Sequence, residues 1–162
     1  ASLARRGNVN EKLLAELLKN DFFDLPFPKT TGPELFNLEY LESARRRSAA
    51  LEISREDVLA TLCRFTADAI IAAVKKSFKE HDRPFIYLSG GGMHNPLLID
   101  HLVNGLPFAR IGNTRQLGID PDSKESVLFA VLANETVAGK PIDFGERAGV
   151  PSVCMGKISL PE

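Results

Sequence analysis

The segment Phe85-Ile-Tyr-Leu-Ser-Gly-Gly-Gly-Met-His-Asn95-Pro96 holds the residues best suited to chemistry. A short apolar run, Phe85 to Leu88, breaks into Gly90, Gly91 and Gly92, and Asn95 and Pro96 then open a helical apolar pattern. Adjacent glycines remove every Cβ from a strand-to-helix turn. A ligand can then lie against the main chain, facing backbone N–H groups and a helix N-terminus. That is a way to hold a nucleotide. The plainer alternative is a tight turn that is merely rich in glycine.

Two further segments could take part. In Leu117-Gly-Ile-Asp-Pro-Asp-Ser-Lys-Glu125-Ser-Val-Leu-Phe-Ala, a loop feeds an apolar helix and Glu125 falls in its first turn. Glu125 could be a site carboxylate that bonds a hydroxyl or a water. The structural alternative is a capping box with Asp122 as N-cap and Glu125 at the third position, where an acid also suits the helix dipole. In Leu25-Pro-Phe-Pro-Lys-Thr-Thr-Gly-Pro-Glu34, Lys29 stands beside Thr30, Thr31 and Gly32. Held by prolines, this group can bind phosphate or sugar oxygens. Its structural alternative is a helix entry, with Thr30 or Thr31 as cap and Lys29 in solvent. His94 can touch a base or a sugar, although a lone loop histidine is more often simply solvated. His81 and His101 have no partner at metal-ligand spacing, and no metal site is expected. Cys63 and Cys154 are far apart, fit a reduced intracellular protein, and leave Cys63 as a small core residue.

The elements that must position these residues are mostly helical. Val9 to Lys19 carries apolar residues at helical spacing, with Asn8 or Asn10 as cap. Residues 21–32 form a loop kept irregular by Pro26 and Pro28. Pro33 is expected to open a helix to about Ala50, burying Phe36, Tyr40, Leu41 and Ala44. The basic run Arg45-Arg46-Arg47 then lies on a solvated helix face. Ser54-Arg-Glu-Asp57 resembles a capping box before a helix reaching about Glu80, with Val58, Leu62, Phe65, Ala69, Ile70 and Val74 toward the core. Phe85–Leu88 is a strand, Pro96 to about Gly105 a helix, and Ala109–Gly112 a second strand. The last long helix runs from Asp122 or Ser123 to about Ala138, ended by Gly139 and Pro141. Met155–Leu160 is expected to add a third strand. Short apolar strands separated by helices point to an α/β fold with a short, mostly parallel sheet.

Composition bounds the class. The chain has 162 residues, enough for one domain with a core, and is 44% apolar and 25% charged, as ordinary globular proteins are. The net charge of −1 gives no field that would favour nucleic acid or membrane surfaces. No run of apolar residues is long enough for a transmembrane span. The opening Ala1-Ser2-Leu3-Ala4-Arg5-Arg6 lacks an initiator Met and reads like the interior of a longer protein. Two or three strands are few for so many helices, so further strands are expected upstream.

In chain order, Pro28-Lys-Thr-Thr-Gly32, Ser89-Gly-Gly-Gly-Met-His-Asn-Pro96 and Lys124-Glu-Ser-Val-Leu-Phe-Ala130 together resemble the C-terminal half of the anhydro-N-acetylmuramic acid kinases and the related levoglucosan kinases. Leu17 to Pro26 and Val153 to Ile158 are similar to family segments as well. The resemblance implies the sugar kinase, Hsp70 and actin superfamily: a helix-rich part of a ribonuclease-H-like, actin-like ATPase C-terminal lobe spanning residues 1–162, with the N-terminal lobe absent. It implies a cytoplasmic enzyme, often a homodimer. Using ATP and Mg²⁺, such an enzyme opens a 1,6-anhydro bridge with water and phosphorylates the sugar at O6. By that resemblance Gly90, Gly91, Gly92 and Asn95 are contacts to the adenosine, and Glu125 is an acid on the sugar side. Lys29, Thr30, Thr31 and Gly32 match a segment near the domain junction.

The departures are as informative. The family's base, in an Asp-Thr-Gly-Pro-Gly-Asn type motif, and its phosphate-binding Gly-Thr-Ser-x-Asp-Gly type motif do not occur in these 162 residues. Pro33 stands where the family usually has Arg. Three readings therefore stand: the C-terminal part of an anhydrosugar kinase, a truncated non-catalytic nucleotide-binding or interaction module, or a superfamily kinase for another sugar.

Overall fold

The computed structural model describes residues 2–141, 143, 145, 149, 151–156, 158 and 159. Its backbone contacts divide into two compact units, Ala1–Tyr87 with Gly91–Gly112, and Leu88–Gly90 with Asn113–Glu162.

In the first unit three helices build the core. α1 (Glu11–Leu18) starts at Asn10, whose side chain accepts a hydrogen bond from Leu13 N at 2.9 Å. α2 (Leu38–Arg47) starts in the same way at Asn37, and α3 (Arg55–Ser77) at Ser54, which accepts from Asp57 N at 3.0 Å. Each cap supplies an acceptor to an otherwise orphaned first-turn amide, worth about 1 kcal/mol. Leu13 and Leu17 of α1 and Ala44 of α2 are fully buried, with Tyr40, Leu41, Leu62 and Phe65 packed around them. Phe22, Phe23, Phe36, Tyr40 and Phe65 extend this core as a set of rings, mostly edge to face, with centroids 5.1–6.5 Å apart. That packing satisfies the quadrupole of each ring.

β1 (Phe85–Leu88), α4 (Pro96–Gly105) and β2 (Arg110–Asn113) follow as a strand, helix and strand forming a parallel pair. Parallel neighbours need such a crossover. α4 packs against α3 and buries Leu102. At the contact, a Cβ on Gly105 would fall 2.3 Å from Ile71 Cδ1, so the approach of the two helices depends on the missing side chain. In the second unit, α5 (Lys124–Ala138) buries no residue, and Val127, Leu128, Phe129 and Val131 are exposed along it.

The strand and helix at Phe85–Leu88 and Pro96–Gly105 have the expected bounds, and β2 is displaced by one residue from expectation. Other expectations are corrected. Pro33 does not open α2. Residues after Gly32 make one turn, with Leu35 and Phe36 amides on Gly32 O, and the helix waits for the better cap, Asn37. Thr30 and Thr31 cap nothing and are exposed. Of the stripe expected on α3, Leu62 and Phe65 do pack on the core, but the buried residues are Ala60, Thr61, Cys63 and Ala67, because α1, α4 and the 3₁₀ turn Ala4–Arg6 all press on it. Small side chains take those crossings, while Ile70 is partly exposed. The basic run is not simply solvated: Arg45 donates to Ala50 O and Leu51 O, and Arg47 pairs with Glu16 across to α1. The helix α3 ends at Ser77 rather than about Glu80. Val153 makes a single bridge, and the described residues of 155–160 form no strand. Lys157 and Leu160 of that stretch lie outside the described residues.

Candidate nucleotide-binding turn

β1 ends at Leu88, and the chain enters a turn. Gly90 has φ +78°, a left-handed conformation that a side chain would strain. Its N–H donates to Pro121 O at 3.0 Å, and Pro121 is fully buried. No atom lies within 4 Å of where a Cβ would stand on Gly90, nor of where one would stand on Gly91. At Gly92 the nearest atom is Leu98 Cδ2 at 3.9 Å. Gly91 to His94 form a 3₁₀ turn, and Asn95 N donates to Gly92 O at 3.1 Å to close it. Gly91 and Gly92 are exposed. A peptide surface without side chains, with open space above it, therefore leads into a helix N-terminus.

Asn95 anchors that helix. Its Oδ1 accepts from Leu98 N at 3.4 Å, its main-chain carbonyl accepts from Ile99 N at 3.1 Å, and Pro96 takes the first helical position. Its Nδ2 lies 3.7 Å from Cys63 Sγ on α3. Burial pushes the Cys63 thiol pKa up, so Sγ remains a neutral thiol that can accept from the amide. The Asn95 side chain is thus engaged at both ends within the protein, and it presents the turn rather than reaching out from it.

The other candidate residues are placed separately. Glu125 is exposed in the first turn of α5. Ser123 precedes the helix without a side-chain cap bond, and its Oγ donates instead to Asp120 Oδ2 at 3.0 Å. Lys29 turns inward, donating to Phe22 O at 2.6 Å and Phe23 O at 3.1 Å, with its ammonium 4.6 Å from the Phe22 ring centroid. Gly32 N donates to Glu34 Oε1 at 2.6 Å. Lys29 is therefore drawn to the 3₁₀ turn Asp21–Phe23, while Thr30 and Thr31 face solvent.

The family model for anhydro-N-acetylmuramic acid kinase matches residues 1–159. The chain belongs to the anhydro-N-acetylmuramic acid kinase family. Among curated members, the anhydro-N-acetylmuramic acid kinase of Pseudoalteromonas atlantica is 48% identical over 164 residues, covering 100% of this chain and 41% of the relative. That of Pseudoalteromonas translucida is 48% identical over 99% of this chain and 40% of the relative. The Caldanaerobacter subterraneus member is 38% identical over 98% and 40%. The chain thus spans about two fifths of the length of the curated relatives it matches. Among its described residues no helix is long and apolar enough to cross a membrane.

Sequence reasoning missed three partners of these family segments. Cys63 lies 32 positions before Asn95, Lys76 lies 53 after Phe23, and the Pro121 carbonyl receives Gly90. No local pattern could have announced them, because each contact is made by chain folding over a long separation.

Proposed function

We propose that this chain is the C-terminal part of an ATP-dependent anhydrosugar kinase, in which it supplies the wall that receives adenosine. One observation carries the reading: no atom lies within 4 Å of the Cβ position on Gly91, where the chain turns toward the helix that Asn95 caps. A stretch of peptide without side chains can accept a flat, polar ligand at contact distance. The turn also follows a strand and opens a helix, which is where α/β folds bind nucleotides.

The name shared by the relatives supports anhydro-N-acetylmuramic acid as the substrate. In the intact enzyme, water opens the 1,6-anhydro ring while the γ-phosphoryl group passes to O6. Catalysis of that kind is mostly positioning and electrostatic stabilisation. This chain contributes the nucleotide wall and, at Glu125, an exposed acid for the sugar side. The activating base and the phosphate cradle lie in other parts of the protein, since neither motif occurs in these 162 residues. The exposed apolar residues of α5 favour the same view, because a helix with Phe129 two-thirds exposed is built to be covered. Among the described residues no three acidic, imidazole or thiol side chains group to hold a metal ion such as the Mg²⁺ expected of the family.

ATP titration of the intact protein and of its Gly91→Val variant tests the assignment. Gly91 lies in open space and outside the positive-φ region, so the variant should fold normally. The expected outcome is ATP binding weakened by about tenfold or more. Unchanged affinity would reduce the turn to a structural one.

A further inference from the structure

Lys29 and Lys76 point their ammonium groups at the same atom. Lys29 Nζ donates to Phe23 O at 3.1 Å and Lys76 Nζ donates to it at 2.6 Å. Two like charges thus stand within hydrogen-bond reach of one neutral oxygen, and neither has an ion-pair partner among the described residues. Both line a cavity of about 360 Å³ whose other walls are mainly apolar: Leu18, Phe22 and Phe27 on one side, Ala69, Ala72 and Ala73 of α3 on the other. The single carboxylate on its lining, Asp24, is exposed and bonded to neither lysine.

Charges of one sign gathered at an apolar cavity raise the local potential and favour an anion there. The size suits a small molecule, since ligand pockets run from roughly 300 to 1,000 Å³ with apolar walls and a few fixed polar groups. An ammonium is a three-donor point charge, and each lysine keeps a donor beyond those already used, enough to take a carboxylate oxygen. We infer that the cavity between the Asp21–Phe23 turn and α3 is a binding site for a small carboxylate with an apolar body. The carboxylate meets Lys29 and Lys76, and an aromatic or branched-alkyl body lies against Phe22, Phe27 and the alanines. This site gives Lys29, the least explained residue of the Lys29–Gly32 segment, a ligand other than a phosphate or a sugar. It does not depend on the nucleotide assignment of the glycine turn.

The test is ligand-detected NMR on the intact protein with 3-phenylpropionate, 3-phenylpropanol and inorganic phosphate as probes. Saturable binding of 3-phenylpropionate is expected, with the alcohol and phosphate each about tenfold weaker or more. No saturation by about 10 mM, or equal binding of the alcohol or of phosphate, overturns the site. Lys29→Gln could disturb the loop that Lys29 ties down, so the variants are Lys76→Gln, which removes one charge, and Ala73→Leu, which fills the cavity. Each should weaken 3-phenylpropionate by about fivefold or more with the melting temperature held. Full binding in both folded variants would overturn the proposal.

Discussion

The Cys63 thiol and the Asn95 amide meet at 3.7 Å, joining the middle of α3 to the residue that caps α4. The glycine turn is therefore referenced to the helical core and not only to the strand before it. Cys63 is 8% exposed and its thiol is held protonated by burial, whereas Cys154 is exposed. The thiolate is the reactive species. A disulfide-exchange reagent at pH 8 should thus label Cys154 promptly and Cys63 only on unfolding. Rapid labelling of two thiols in the native protein would show that the Cys63–Asn95 contact opens freely.

Gly7 and Gly105 are predicted to differ in their tolerance of a methyl group. A Cβ on Gly7 would lie 2.1 Å from the main-chain oxygen of Glu56, and backbone cannot step aside. Gly7→Ala should cost about 3 kcal/mol or more. At Gly105 the obstacle is the end of the Ile71 side chain, which can change rotamer, so Gly105→Ala should cost about 1–2 kcal/mol. Denaturant unfolding measures both, and an order reversed from this one would contradict the stated contacts.

Asp57 ties the N-terminal segment to α3 by accepting from Asn8 N at 2.7 Å. That bond, with a further one from Ser54, holds its carboxyl below the usual carboxylate range. A pKa lowered in the folded state makes a contribution present above the unfolded value, about 3.9, and lost as pH falls through the folded one. Asp57→Asn should therefore lower the melting temperature at pH 7 and narrow its difference from the parent below about pH 3.5. A difference that stays constant down to pH 2 would remove the carboxylate from the account.

The isolated 162-residue chain should not phosphorylate an anhydrosugar with ATP, because neither the base motif nor the phosphate-binding motif occurs in it. Coupled-enzyme or radiolabel assays of the purified chain give the answer. Turnover above the background of a Gly91→Val control would mean that the missing functions are supplied by other residues here.

Much of the local structure could be read in advance because its causes are local. Asn10, Ser54 and Asn95 each precede a run of helical periodicity and each caps it with its own side chain. Pro96 and the three glycines mark a turn by the dihedral angles they allow, and Gly90 takes the left-handed one. Where two local signals competed, the reading failed. Pro33 and Asn37 both can begin a helix, and only the Asn37 side chain supplies an acceptor to the first-turn amides. The same competition left Ser123 bonded to Asp120 rather than capping α5.

By itself, the sequence determined the family and the strand–glycine–helix order. Those properties follow from residue type and short spacing, which survive without knowledge of the fold. Tertiary structure alone decided which partners the candidate residues found. It placed Cys63 under Asn95, a three-way helix contact around the small residues of α3, and Lys76 beside Lys29 on one carbonyl. Such meetings depend on how helices cross, and helix crossings are set by packing across the whole core rather than by any local stretch of chain.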